Sequence, residues 1–202
     1  LDVGGGLGVP YRPDQPEPPS PASYATLLGE VLGELGLPLM LEPGRLLVAN
    51  AGILMARVIY VKEGGAKRFV ILDAAMNDLV RPAMYDGWHH MVPVAEPAPD
   101  AVLEPADVVG PICESSDRFA ADRPLPPLVA GDLVAFHSAG AYGAVMASTY
   151  NSRLLVPEVL VSGREWAVIR PRQSYEELMG ADRFAPWQAG EGAASMRQAS
   201  GG

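Results

Sequence analysis

Five short segments of this chain carry residue types suited to binding or transforming a charged ligand. Gly4-Gly5-Gly6 ends a short apolar run over residues 1–3, where bare backbone N–H groups can approach an anion. A simple turn would use the same glycines, and Val9 at the third-glycine position breaks the dinucleotide fingerprint. Glu42-Pro43-Gly44-Arg45 adds another glycine backbone and a guanidinium, which could grip a carboxylate through two parallel hydrogen bonds or sit in a surface ion pair. Arg81-Pro82-Ala83-Met84-Tyr85 places a second guanidinium four residues from a phenol. It follows Asp73-Ala74-Ala75-Met76-Asn77-Asp78 at an expected strand-to-helix turn, where capping and packing would serve equally well as an explanation. Cys113-Glu114-Ser115-Ser116-Asp117 sets a thiol beside a carboxylate in a turn after Gly110-Pro111, although a free cysteine is more often a small buried hydrophobe. Gly140-Ala141-Tyr142-Gly143 offers a phenol between glycines, either to a ligand or to close a turn.

Other candidates are weaker. His89 and His90 follow Trp88 at the end of an expected helix, and His137 ends a strand; none has an acidic partner at ligand spacing, so no metal is expected. Lys62 and Lys67 flank a glycine turn at a solvated hairpin end, a poor place to lower an amine pKa, so neither is expected to act as a nucleophile.

The elements that must position these residues follow from periodicity. Residues 10–21 are proline-rich and predict a surface loop, while Tyr24, Leu27, Leu28, Val31, Leu32 and Leu35 recur at helical spacing over residues 23–35 and stop at Gly36. A second apolar run at 37–41 gives the order strand, helix, strand of a parallel α/β unit. Beyond Arg45 the pattern turns to short strands at 53–62, 68–73, 102–109, 132–136, 144–147, 158–161 and 165–170, with a short helix at 175–179. Residues 181–202, rich in Gly, Ala, Ser and Gln, are expected to be a disordered tail. The predicted class is α/β plus all-β: two barrel-type strands in residues 1–45, then a sheet, sandwich or barrel-like domain in 46–180.

Composition narrows the function. With 15 Lys and Arg against 24 Asp and Glu, the formal charge of -9 disfavours nucleic acid. A single cysteine excludes an internal disulfide framework and fits a reducing cytoplasm, and no apolar run suits a membrane span or signal peptide. The opening Leu1-Asp2-Val3, running straight into glycines, reads as a fragment of a longer chain.

Taken in order, the glycine triplet, Glu-Pro-Gly-Arg, Asp-x-x-Met-Asn-Asp-x-x-Arg-Pro-x-x-Tyr, Gly-Pro-x-Cys-Glu-Ser-Ser-Asp, Gly-Ala-Tyr-Gly and Tyr150-Asn151-Ser152-Arg153 resemble the diaminopimelate decarboxylase family over about residues 1–179. The resemblance implies the last two strands of a β/α barrel that carries pyridoxal 5'-phosphate, a C-terminal β-domain, and a homodimer with shared active sites. It implies that Gly4, Gly5, Gly6, Glu42, Gly44, Arg45 and Tyr142 bind the cofactor, and that Arg45, Arg81, Tyr85, Tyr142 and Glu114 bind meso-diaminopimelate. Glu114 would come from the second subunit and recognise the distal ammonium, and Cys113, from the same subunit, would be the proton donor. The family's cofactor-anchoring lysine has no counterpart here, so the chain by itself is expected not to decarboxylate. Related decarboxylases of ornithine, arginine or carboxynorspermidine share the two glycine sites, but Glu114 argues against them. A non-catalytic homologue acting as a binding protein is disfavoured by the intact Cys113, Arg81 and Tyr142.

Overall fold

The computed structural model describes residues 1–188. The chain forms two compact units, one spanning Leu1 to Asn151 and the other beginning at Ser152.

In the first unit, the two N-terminal apolar runs lie parallel. Asp2 bridges Met40, with Met40 N–H donating to Leu1 O (2.9 Å), Val3 N–H to Met40 O (3.1 Å) and Glu42 N–H to Gly4 O (2.9 Å). Between them runs α1 (Pro21–Leu32), continued by a 3-10 turn, Gly33–Leu35. It starts before the expected Ser23 because Pro21 suits the first helical turn and the Ser20 hydroxyl caps Ser23 N–H (3.1 Å). Leu27, Val31 and Leu35 stay exposed, an apolar stripe of the kind a neighbouring layer covers.

Six strands then build a curled mixed sheet: β1 (Leu54–Gly64), β2 (Lys67–Leu72), β3 (Met91–Pro93), β4 (Glu104–Val109), β5 (Arg118–Leu125) and β6 (Leu133–Phe136), in the order β3-β6-β1-β2-β4-β5. Only β2 and β4 pair in parallel, because the chain between them crosses to the opposite edge to form α3 (Arg81–Tyr85) and β3. Alternation on β1 points Ala56 and Val58 into the core; a bulge between Val58 and Tyr60 then shifts the parity so that Val61 packs inward. Val70, Leu72, Val108, Val134 and Phe136 complete this core, each burial contributing roughly 1.5–3 kcal/mol, and Phe119 meets Phe136 with ring centres 4.7 Å apart.

The β1–β2 turn leaves Lys67 ion-paired to Asp107 (3.0 Å) and Asp122 (3.5 Å). The hydrogen bond to Asp107 raises the Lys67 pKa, so this amine stays protonated and is a poor nucleophile. Burial works against ionisation of Asp107, but the Asp122 N–H and Lys67 outweigh it and hold its pKa below the ordinary value.

Two expectations are corrected and strand β5 is added. Residues 144–147 are not a strand: Ala144–Met146 is a 3-10 turn, following Tyr142 in the left-handed region (φ 60°). His89 and His90 do not end a helix, since α3 stops at a left-handed Asp86 and Trp88 to His90 lead into β3. Strand β5 escapes the pattern because Arg118, Asp122, Arg123 and Pro124 mask its alternation, and Asp122 at φ 45° breaks its register with β4.

The second unit holds the hairpin β7 (Glu158–Ser162) and β8 (Glu165–Arg170), turned at Gly163, and α4 (Tyr175–Met179), whose Ser174 and Glu177 form a capping box. Of the expected tail, residues 181–188 include a 3-10 turn at Pro186–Gln188; residues 189–202 lie outside the described residues.

Candidate functional site

The two strand-end backbones form one cradle. A Cβ on Gly5 would sit 2.4 Å from Glu42 O, so only glycine lets these backbones close together, whereas a Cβ on Gly6 or Gly44 would meet nothing within 4 Å. Gly4 and Gly6 take φ of +73° and +98°. Gly4 N–H donates to Asp2 Oδ1 (2.8 Å) and Gly44 N–H to Glu42 O (2.8 Å), leaving the N–H groups of Gly5 and Gly6 without a protein acceptor among the described residues.

Beside the cradle a stack forms that the sequence only partly announced. Arg45 lies over the rings of Tyr142 (5.4 Å) and Tyr11 (5.9 Å), and Arg81 over the other partner of this stack, Tyr11, at 4.5 Å. Tyr11 lies in the proline-rich segment that predicts a surface loop, yet it packs with Leu46 against Val9, Ala49 and Ala141, and its hydroxyl is buried with no hydrogen-bond partner among the described residues. An aromatic residue two positions after an apolar one, just past the glycine triplet, was the only signal for it. Tyr142 reaches Arg45 because the loop after β6 wedges onto α2 (Gly44–Val48) and the 3-10 turn that follows it. Gly140 N–H donates to Ala49 O (3.0 Å) and Ala139 N–H to Gly52 O (2.8 Å). Tyr85, one turn beyond Arg81, is exposed and takes no part in this stacking.

His89 is 2 % exposed, and its Nε2 lies 2.9 Å from Arg81 Nη1. Burial lowers its pKa below the ordinary imidazole value, opposed by the hydrogen bond to His137 O and helped by the positive charges of Arg81 and Arg123, so the neutral form is favoured. Among the described residues no group of three or more His, Cys, Asp or Glu side chains is placed to hold a metal, and no helix is long and apolar enough to cross a membrane.

Cys113 and Glu114 occupy the β4–β5 connection, at the other side of the strand order from β3 and β6. Both are exposed. The Glu114 carboxylate accepts from Ser116 N–H (3.2 Å) and Ser116 Oγ (3.1 Å), and these bonds, with one from Tyr150, lower its pKa and keep it ionised. Asp117, 3 % exposed, builds the loop: it accepts from Met76 N–H (2.7 Å) and Ile112 N–H (2.7 Å), while its carbonyl accepts from Gly110 N–H (3.0 Å). Asn77 and Asp78 are likewise structural, Asp78 capping Ala75 N–H (2.9 Å) and Asn77 tying this turn to Ser148 O (3.0 Å). Asp117→Ala should therefore destabilise the unit by about 2–5 kcal/mol, seen as a lower urea midpoint, because it strands buried N–H donors; an unchanged midpoint would refute this role.

The first unit is thus a sheet domain that sets a glycine cradle beside a stack of guanidiniums and phenols, groups suited to an anion. Comparison with known proteins gives its family. Residues 20–140 match the model of the pyridoxal-dependent decarboxylase C-terminal sheet domain, and the chain belongs to that family. It is 53 % identical over 186 residues to the diaminopimelate decarboxylase of Zymomonas mobilis, covering 92 % of this chain and 44 % of that protein. Among solved structures, diaminopimelate decarboxylase from M. jannaschii superposes with a TM-score of 0.86 at 37 % identity, covering 93 % of this chain and 43 % of that one. The Helicobacter pylori enzyme complexed with L-lysine gives 0.81 at 43 % identity, covering 89 % and 43 %. The chain thus spans under half the length of these relatives.

Proposed function

We propose that this chain is the C-terminal part of a cytoplasmic diaminopimelate decarboxylase, which uses pyridoxal 5'-phosphate to convert meso-2,6-diaminopimelate to L-lysine and carbon dioxide. The carrying observation is the cradle of Gly4 to Gly6 and Glu42 to Arg45 set against the Arg45, Arg81, Tyr11 and Tyr142 stack. Identity of about half the residues to a diaminopimelate decarboxylase over nearly the whole chain, and L-lysine in a related structure, support the substrate.

The residues present fit the cofactor's phosphate. The Gly5 and Gly6 N–H groups have no protein acceptor among the described residues, and the space beside Gly6 and Gly44 is open. When bound, this cofactor supplies an electron sink for the pair left on carbon as carbon dioxide departs. The chain's own residues do the rest. Gly4, Gly5, Gly6 and the backbone of Glu42 to Arg45 seat the phosphate, with the Tyr142 hydroxyl beside it. Arg45, Arg81 and Tyr85 orient carboxylate groups of the substrate. From a second copy of the chain, the ionised Glu114 receives the distal ammonium and the Cys113 thiol delivers a proton to the reacting carbon. A homodimer with shared active sites belongs to the same reading, since Cys113 and Glu114 are exposed and take no part in the Arg45, Arg81, Tyr11 and Tyr142 stack. The exposed stripe of α1 suits cover by the remainder of the β/α barrel that the family resemblance implies.

The test is carbon dioxide release by the full-length protein. Release from meso-diaminopimelate at least 100-fold faster than from ornithine or arginine is expected. Release from ornithine alone, or none from any of the three, would overturn the assignment.

A further inference from the structure

Arg81 presents an electrostatic problem. Only 9 % of it is exposed, yet no carboxylate among the described residues lies within ion-pairing distance of it. A buried guanidinium is costly unless something answers its charge. The side chains that do touch it are neutral: the Tyr11 ring below at 4.5 Å and His89 at 2.9 Å.

The tautomer of His89 follows from its second contact. Its Nδ1 lies 3.0 Å from His137 O, and a carbonyl can only accept, so Nδ1 carries the hydrogen. Nε2 is then a lone-pair acceptor for an Arg81 Nη1 hydrogen. Two further contacts hold the residue in place. Arg123 Nη1 donates to the His89 carbonyl (3.0 Å), fixing the backbone, and the Tyr11 ring meets the imidazole edge-on at 5.2 Å and 77°. With the positive charges of Arg81 and Arg123 nearby and burial on all sides, a proton on His89 is disfavoured.

We infer that His89 is a positioning residue, one that aims the Arg81 guanidinium by a single hydrogen bond while leaving its charge unneutralised for a carboxylate of the substrate. A carboxylate in place of His89 would hold Arg81 as firmly but cancel the charge, and an apolar residue would leave the planar guanidinium free to swing about Cδ–Nε. A neutral imidazole of fixed tautomer does neither, and four of the five Arg81 N–H donors remain for a ligand. The identity of that ligand rests on the proposed function; the aiming of Arg81 does not.

Two substitutions in the full-length enzyme separate aiming from packing. His89→Phe keeps a ring against Tyr11 and removes the acceptor, whereas His89→Gln restores an acceptor near the Nε2 position. His89→Phe should raise KM for meso-diaminopimelate at least tenfold with kcat changed less than threefold and pyridoxal phosphate uptake unaltered. His89→Gln should bring KM back to within threefold of the parent. In NMR spectra the Arg81 Nη hydrogens should exchange faster in the Phe variant and return toward parental rates in the Gln variant. Unchanged Nη exchange in His89→Phe would overturn the proposal, and so would a loss of cofactor uptake and thermal stability that Gln fails to rescue. If Arg81→Met itself leaves KM unchanged, the substrate reading of this site fails, while the Nη exchange of the His89 variants still decides whether His89 aims Arg81.

Discussion

Full-length enzyme carrying Cys113→Ala is expected to lose about 10²–10⁴-fold in kcat while still taking up its cofactor. The thiol is exposed on the β4–β5 connection, and the loop's rigidity comes from Asp117 and Ser116 rather than from Cys113. Stability should therefore change by less than about 0.5 kcal/mol, as for an ordinary surface substitution. Loss of turnover without loss of fold or cofactor isolates the proton-delivery role. Cys113→Ser should fall between the two, since a hydroxyl occupies the same place but gives up its proton less readily. Parental kcat in Cys113→Ala would remove the thiol from the reaction, and a matching drop in melting temperature would recast it as packing. Mixing this variant with one inactivated at Arg81 adds a check on shared sites. If each site combines the two copies, mixed dimers regain one intact site and partial activity; no recovery would place both residues in a single subunit's site.

Gly140→Ala should destabilise the first unit by about 3 kcal/mol or more and pull Tyr142 away from Arg45. A Cβ there would lie 1.9 Å from Val48 O and 2.8 Å from Gly52 N. Both are backbone atoms, so no side chain can swing aside to relieve the clash. The loop must lift off α2, breaking the Gly140 N–H bond to Ala49 O and exposing the buried Ala141. For a chain of this size each kcal/mol lowers the melting temperature by roughly 2–4 °C, so a fall near 10 °C is expected by calorimetry. Gly44→Ala is the contrast, because its Cβ would meet nothing within 4 Å. It should leave the melting temperature within a degree or two and weaken phosphate binding instead. Equal stability losses for the two variants would show that the close approach at Gly140 does not explain the first, because the reduced entropy of the unfolded chain acts in the stabilising direction at both positions.

Several elements could be read directly from residue order. The 3.6-residue spacing of Leu27, Leu28, Val31 and Leu32 located α1, alternation located β1 and β2, and a run of apolar residues located β6. Local patterns succeed there because one face is apolar and the other is not. Strand β5 failed the same test because a bulge and buried polar pairs, not alternation, set its register; Asp122 N–H and Lys67 both converge on Asp107 from distant positions.

The candidate site divides along the same line. Sequence alone determined which chemical groups are available: two glycine backbones, Arg45, Arg81, Tyr142, and the Cys113-Glu114 pair, in an order that resembles one family. Only the tertiary structure decided which of them meet, and it added two that composition and spacing had passed over. Tyr11 joins the stack because the proline-rich loop folds back onto Ala49 and Ala141, and His89 becomes an acceptor because His137 O, 48 positions away, fixes its tautomer. It also revealed Asp117 as a builder of the loop and left Tyr85 exposed, since burial and hydrogen-bond partners depend on contacts between distant segments, which no local pattern of residue types encodes.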